Sequence, residues 1–144
     1  MNKVLLFLFL LTAGSASAQA TAGLAVPAKA ANQLEKMLKK TQDALVTGRR
    51  AADIPAESRP QFNKVLVQST TEFVAITKGT PTKEAYYASL DAGLAKLAPL
   101  ARLPEDRQHV AAYYQDLLDI VGLDSSEGRL NAFVEAAPPA KAKR

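Results

Sequence analysis

The sequence predicts an all-α protein, a compact bundle of four main helices plus a short fifth helix, after a cleaved signal peptide. Alanine, the strongest helix former, supplies 27 of the 144 residues. Runs of alternating β-branched residues, which would indicate strands, are missing from the sequence. Glycine follows the apolar helical stripes and proline precedes them, as is typical of helix ends and helix starts. These positions are Gly48, Gly79 and Gly122 at the ends, and Pro27, Pro60, Pro81 and Pro104 at the starts.

Residues 1–18 have the three parts of a secretory signal of bacterial style. Lys3 precedes an apolar run over residues 4–11, and small residues at 16–18 predict cleavage after Ala18, with a second site after Ala20 left open. The apolar run is shorter than the roughly 20 residues that a membrane-spanning helix needs, and no later segment could span. We therefore expect a periplasmic or extracellular protein with no membrane span. The chain has no cysteine, so it is not expected to be a lipoprotein.

The first two helices are predicted over residues 29–47 and 60–78. The buried face of the first is expected to hold Leu34, Met37, Leu38, Thr41, Ala44 and Leu45. The second carries a core-facing seam whose members are spaced four and three residues apart, namely Phe62, Leu66, Ser69, Phe73 and Ile76.

The third helix is predicted to begin at Thr80, which would cap it ahead of Pro81. Its buried face is expected to carry one tyrosine of the pair at 86–87, followed by leucines at 90, 94 and 97. Gly93 lies inside this helix, where glycine costs about 1 kcal/mol relative to alanine. Two interpretations stay open for Gly93, a close helix crossing or a tolerated position that faces solvent.

The fourth helix is predicted over residues 104–121, and Gly122 followed by Leu123 predicts a glycine turn at its end. A fifth helix is expected to follow at once. Asp124 and Glu127 have the spacing of a helix cap and its partner in a capping box. Residues 21–27 are expected to be flexible, residues 28–137 to form a single helical domain, and residues 138–144 to be a disordered basic tail.

Composition excludes several kinds of chemistry. Without cysteine there is no disulfide, thiolate metal site or thiol nucleophile, and a single histidine cannot build a His-only metal cluster. His109 is interpreted as a surface residue, because no serine, histidine and carboxylate arrangement accompanies it. The acidic residues near the end of the fourth helix do not match a calcium loop, since Gly128 is the fifth residue from Asp124 and not the sixth. We expect no catalytic residues, no metal and no cofactor.

The basic character of the chain comes from its end. Removing Lys3 from 18 basic residues leaves 17 against 14 acidic ones, a net charge of +3, and the final Lys-Ala-Lys-Arg supplies all three charges. A nucleic-acid-binding protein would carry its basic surface on the folded part. We therefore expect no nucleic-acid partner.

The residues expected to contact a partner protein lie in two places. One ring of each adjacent tyrosine pair can lie in the core while the other lies at the rim, so Tyr113 or Tyr114 could anchor a partner. The turn into the fifth helix is the second place, with Asp124, Ser125, Ser126, Glu127 and Arg129. The sequence thus favours a non-enzymatic protein-binding or accessory module, with a periplasmic immunity or inhibitor protein against a toxin or cell-wall enzyme as the alternative. The partner and the oligomeric state stay open.

The segment over residues 103–136 contains the strings PEDR, YY, DIVGLDSS and GRLN. In these strings it resembles an uncharacterised bacterial family of small secreted helical proteins, a domain of unknown function. The resemblance covers about a quarter of the chain. It implies a helical protein and brings no activity, so no catalytic residue follows from it.

Overall fold

The computed structural model describes residues 23–47 and 56–138, except for the side chains of residues 45–47. This part of the chain is all-helical. Its five helices are α1 (Ala30–Thr47), α2 (Arg59–Lys78), α3 (Lys83–Leu97), α4 (Pro104–Ile120) and α5 (Arg129–Glu135). The predicted fold class is confirmed. The predicted signal peptide and nearly all of the predicted basic tail lie outside the described residues.

The first four helices alternate in direction, as polar contacts between them show. Glu35 near the start of α1 forms an ion pair with Lys78 at the end of α2. The hydroxyls of Thr77, late in α2, and Tyr86, early in α3, lie 2.7 Å apart. Tyr87, early in α3, donates to the carbonyl of Ser125 beyond the end of α4, at 2.6 Å. The four helices therefore form an up-down-up-down bundle, and α5 packs beside α4.

Side chains from all five helices share one hydrophobic core. Four members of the predicted seam of α2, Phe62, Leu66, Ser69 and Phe73, are buried, and the fifth, Ile76, is partly buried against the core. The largest side chains with no exposed surface come from four helices and from the residue after α4. They are Tyr86, Tyr114, Phe62, Phe73, Leu34, Leu90, Leu97, Leu117, Leu118, Val110 and Val121.

Gly93 marks a close crossing between α3 and two neighbouring helices. A Cβ atom built on Gly93 would lie 1.9 Å from the Tyr114 hydroxyl oxygen and 2.6 Å from the Ser69 Oγ. Those two oxygens are themselves joined by a buried hydrogen bond of 2.6 Å. The structure thus decides between the two interpretations of Gly93, because α2 and α4 approach α3 too closely here for any side chain.

Thr82, and not Thr80, caps the third helix. The Thr82 Oγ1 accepts a hydrogen bond from the backbone N–H of Ala85 at 3.1 Å. The helix begins at Lys83, so Thr80 lies too far upstream to reach its first free N–H groups. The carbonyl of the intervening Pro81 accepts from the N–H of Leu24 at 2.8 Å. This bond also draws residues 23–27 onto the bundle, so the packed unit begins before residue 28.

The end of α4 is the predicted glycine turn. Gly122 adopts a φ of 81°, in the left-handed region that glycine tolerates best. The N–H of Leu123 then donates to the Leu118 carbonyl at 2.9 Å, and the N–H of Gly122 donates to the Asp119 carbonyl at 3.1 Å. Leu123 itself is buried. These two bonds and the buried leucine are the features of a Schellman motif.

The predicted capping box at the start of the fifth helix is wrong. α5 begins at Arg129, five residues after Asp124, and Asp124 is exposed. The intervening chain turns twice through the left-handed region, at Glu127 (φ 52°) and Gly128 (φ 83°), which separates Asp124 from the helix. The N-cap position is held by Gly128, which has no side chain, and the Oγ of Ser126, two residues earlier, accepts from the N–H of Leu130 at 3.3 Å.

Arg107 is a buried cation that joins the ends of two helices. Its guanidinium donates to the carbonyls of Ala101 at 2.9 Å, Phe133 at 2.6 Å and Ala98 at 3.2 Å, and it lies 4.6 Å from the centre of the Phe133 ring. Ala98 follows α3 directly and Phe133 lies in the last turn of α5. Carbonyls at helix ends carry partial negative charge, which compensates a cation that is only 6% exposed.

Candidate functional site

A groove runs between α1 and α4, with α2 as its floor. Its volume is about 580 Å³, within the usual range for ligand sites. We call it the α1–α4 groove, and it is lined by Lys36, Met37, Lys40, Thr41, Ala44, Asn63, Leu66, His109, Ala112, Tyr113 and Asp116. The lining from α1 and α4 falls three, four and seven residues apart, so each helix presents a single face to the groove.

Tyr113 forms a fixed wall of the α1–α4 groove. Its hydroxyl oxygen lies 2.8 Å from the Thr41 Oγ1 and 2.6 Å from the Thr70 Oγ1, so it is tied to both α1 and α2. Burial raises the pKa of the Tyr113 phenol, although its hydrogen bonds act in the opposite direction. The ring is therefore neutral at ordinary pH and held in one orientation. Its neighbour Tyr114 stands nearly perpendicular to it and is completely buried.

The charged side chains of the α1–α4 groove are distributed unequally. Lys36 and Lys40 lie one turn apart on α1, and both are exposed. The wall from α4 carries His109 and Asp116, which are two turns apart, a rise of about 10.5 Å along the helix. Among the described hydrogen bonds and ion pairs, none joins His109 to Asp116. The groove therefore has a cationic wall on α1 and a mixed wall on α4.

A second polar cluster attaches the loop between α4 and α5, residues 123–128, to α3. Tyr87 is its centre. The Arg129 guanidinium lies 4.2 Å and the Lys83 ammonium 5.5 Å from the centre of the Tyr87 ring, in cation–π arrangement. Lys83 also pairs with Glu127, and this hydrogen bond holds the pKa of the Glu127 carboxyl below its usual value. Arg129 lies 3.2 Å from the Asp91 carboxylate.

The backbone of this loop is fixed by side chains as well as by ion pairs. The Ser125 Oγ accepts from the N–H of Glu127 at 2.9 Å, and the Ser125 carbonyl accepts from Tyr87. Among the described residues, Glu127 is the one non-glycine residue with a positive φ, a conformation that L-residues adopt rarely. A shallow depression of about 360 Å³ lies beside the loop, between Lys83, Glu84, Asp91 and Arg129. The loop thus has one defined shape on the surface.

The structure separates the two sets of residues that the sequence singled out. Tyr113 lies in the α1–α4 groove, whereas Glu127 and Arg129 line the depression beside the loop, and the two places share no lining residue. Asp124 and Ser125 are exposed in the loop, while Ser126 is buried. Tyr114 presents no surface to a partner. We therefore leave Tyr114 and Ser126 out of any contact surface.

The α1 wall of the groove was not among the residues that the sequence singled out. Lys36, Lys40 and Ala44 recur every four residues along one face of α1, and His109, Ala112 and Asp116 follow at spacings of three and four on α4. Such a stripe of lysine and small residues beside the buried stripe was the available signal. Its meaning depends on two helices facing each other, which a pattern within one helix does not show.

The described ranges, 23–47 and 56–138, were compared with the requirements of metal sites and membrane spans through their side-chain groups and helices. Within them, no group of three or more His, Cys, Asp or Glu side chains is arranged to hold a metal ion. None of the helices there combines the length and apolar character that crossing a membrane requires.

The chain belongs to the family described as "Domain of unknown function (DUF4844)", whose match extends over residues 25–138. This range includes both the α1–α4 groove and the loop between α4 and α5. It also starts beside Leu24, whose N–H donates to the Pro81 carbonyl. No curated protein and no solved structure matches the chain.

Proposed function

We propose that this protein is a non-enzymatic binding module of the periplasm or cell exterior, and that the α1–α4 groove receives a segment of a partner protein. The observation that carries the proposal is the groove itself. It is about 580 Å³ in volume, has a floor in which the apolar Met37 and Leu66 lie beside the amide of Asn63, and is bordered by polar groups from two helices. A concave apolar site with a few polar groups at its rim is the usual form of a binding site.

Binding is favoured over catalysis by the arrangement of the polar groups. His109 and Asp116 both line the groove, but two helical turns separate them, so Asp116 is badly placed to orient the imidazole as a general base requires. The hydroxyls of Thr41 and Tyr113 are already paired with each other. A rigid wall of this kind suits recognition, because little side-chain freedom is lost when a partner binds.

The location is part of the same proposal. The basic, apolar and small-residue parts of residues 1–18 support export by a cleaved signal peptide. Cell fractionation followed by N-terminal sequencing tests this. We expect the exported chain to begin at Gln19 or Thr21, and an intact N-terminus on cytoplasmic protein would contradict export.

The binding function is tested by capture of partners with a variant that fills the groove. Ala112 is exposed and lines the groove, so Ala112→Trp should occupy the space without disturbing the core. Ala95→Trp is the matched control, because Ala95 is an exposed helical alanine outside both depressions. We expect a stoichiometric partner from periplasmic or culture-supernatant extracts to bind the wild type and Ala95→Trp, and not Ala112→Trp.

Two results would count against the proposal. A partner captured equally by Ala112→Trp would mean that the groove is not the contact site. The absence of any partner that distinguishes Ala112→Trp from Ala95→Trp, over several salt concentrations, would remove the support for a protein-binding groove.

An immunity or inhibitor role is the second candidate, and the loop between α4 and α5 favours it. Inhibitors commonly present a rigid segment that binds without large rearrangement. Tyr87, Lys83 and Arg129 hold this loop in one shape, and they leave Asp124 exposed at its surface. Asp124→Lys changes the surface charge and leaves these contacts in place. Loss of a captured toxin or cell-wall hydrolase in Asp124→Lys, with retention in Ala112→Trp, would favour this second candidate over the first.

A further inference from the structure

We infer that the partner segment of the α1–α4 groove is apolar with acidic groups along one side, an inference that rests on the proposed binding function. The floor selects the apolar part and the α1 wall selects the acidic part. The matching ligand is a short peptide segment in which leucine- or phenylalanine-like side chains are bordered by aspartate or glutamate.

The floor of the groove calls for apolar side chains. Leu66 from α2 and Met37 from α1 supply its apolar part beside the buried Asn63 of α2, with Ala44 and Ala112 at the sides. The alanines leave the space open, and the thioether of Met37 adapts to different shapes. A volume of about 580 Å³ accommodates a few side chains and not a whole folded element. A partner therefore inserts side chains from one segment, as in peptide recognition by helical grooves.

The hydroxyls in the groove are engaged and do not select the ligand. The Thr41 Oγ1 donates to the Met37 carbonyl at 2.9 Å and lies 2.8 Å from the Tyr113 hydroxyl. Tyr113 in turn lies 2.6 Å from the Thr70 Oγ1. These groups fix the wall, and discrimination among ligands falls to the charged side chains at the rim.

The charges at the rim favour an anion on the α1 side. Lys36 and Lys40 are exposed and one turn apart, so both ammonium groups can approach a carboxylate that lies along α1. Asp116 on the opposite wall repels a second anion there. A ligand with carboxylates on one side and apolar groups on the other satisfies both walls. Charge complementarity of this kind contributes mainly to specificity and to the rate of association.

The experiment is a selection of short random peptides, displayed on phage, by the purified exported protein. Peptides are selected on the wild type and on Ala112→Trp, in which the groove is filled. The selected peptides are then measured against Lys36→Gln/Lys40→Gln. The matched control is Lys39→Gln/Lys64→Gln, which removes the same charge from exposed lysines outside the groove.

We expect the selected peptides to be rich in aspartate or glutamate beside apolar residues, and we expect Ala112→Trp not to bind them. Lys36→Gln/Lys40→Gln should weaken their binding roughly three- to tenfold, since two exposed ion pairs are lost, and added salt should weaken it too. The control pair should bind as the wild type does. Peptides that need an open groove but show no acidic preference, or do not respond to Lys36→Gln/Lys40→Gln, would overturn the inference and leave the binding function standing. If no selected peptide distinguishes Ala112→Trp from the wild type, both fail.

Discussion

Replacing Gly93 with alanine tests the close packing at the centre of the bundle. Alanine forms helices better than glycine by about 1 kcal/mol, so at a solvent-facing position Gly93→Ala would stabilise the protein. In this structure the new Cβ would lie 1.9 Å from the Tyr114 hydroxyl oxygen, whereas ordinary contacts of a Cβ begin near 3.4 Å. The Tyr114 ring would have to move by about 1.5 Å, and it has no exposed surface toward which to move.

The net effect follows from three contributions. Overfilling a packed core costs about 1 to 3 kcal/mol. Displacing the Tyr114 hydroxyl also breaks its 2.6 Å hydrogen bond to Ser69, which costs about 1 kcal/mol. The helix propensity of alanine returns about 1 kcal/mol. We therefore expect Gly93→Ala to lower the free energy of unfolding by about 1 to 3 kcal/mol, the opposite sign from that of an exposed glycine.

Urea unfolding followed by circular dichroism measures this change. Ala95→Gly, on the exposed side of the same helix, is the control and should cost about 1 kcal/mol, so that the preference between glycine and alanine reverses within two residues. Tyr114→Phe removes the atom closest to the new Cβ, so the double variant should lose less stability than the sum of the two single variants. A Gly93→Ala protein as stable as the wild type, or more stable, would refute the close crossing.

Three further predictions concern the ends of the helices and the buried phenols. Arg107→Leu should cost about 3 kcal/mol or more in thermal or urea unfolding, because three backbone carbonyls lose a charged donor, and Arg107→Lys should recover little of this. Ser126→Ala should lower the unfolding free energy by about 1 kcal/mol, whereas Asp124→Ala should change it by less than about 0.5 kcal/mol. A larger loss in Asp124→Ala than in Ser126→Ala would mean that Asp124 caps α5 after all. Burial raises the pKa of three phenols above the ordinary 10.0, so the folded state keeps them neutral. The stability that this shift contributes is complete below pH 10.0, and it is lost as the pH rises through the pKa values of the phenols in the folded state. Phenolate absorbance should therefore rise together with unfolding in alkali, and full ionisation without unfolding would contradict the burial of Tyr86, Tyr113 and Tyr114.

The positions of the four main helices follow from local signals in the sequence. The spacing of apolar residues predicts the seam of α2, and the conformational freedom of glycine predicts the turn at Gly122. The structure contains both features. These features depend on neighbours within a few residues along the chain. The prediction of one core tyrosine and one rim tyrosine agrees with the structure at 113–114, because adjacent residues on a helix point about 100° apart. The same prediction is wrong at 86–87, where both rings are buried, because α2 packs against Tyr86 while the residues after α4 cover Tyr87.

The start of α5 could not be predicted because the tertiary structure overrides a good local pattern. Asp124 and Glu127 have the spacing of a capping box, but Lys83 and Arg129 draw Glu127 toward α3 and the chain passes through the left-handed region. The burial of Arg107 could not be predicted for a similar reason. In sequence it resembles a solvated residue, yet the carbonyls that bury it come from α5 and from the segment after α3.

The α1–α4 groove was beyond sequence reasoning because it exists only between helices. Tyr113 was singled out as a contact residue, but Lys36 and Lys40 were not, since lysines on an exposed helical face ordinarily indicate no more than solvation. Their relevance depends on α4 facing α1 across a gap above Leu66.

The central claim is that the α1–α4 groove is the surface that receives a partner. The most direct test is a nuclear magnetic resonance titration of the isotope-labelled protein with a peptide selected on the wild type and not on Ala112→Trp. We predict that amide shifts change along residues 36–44 of α1 and 109–116 of α4, and that residues 123–129 are unaffected. Shifts concentrated in residues 123–129, with α1 unchanged, would contradict the claim and assign binding to the loop.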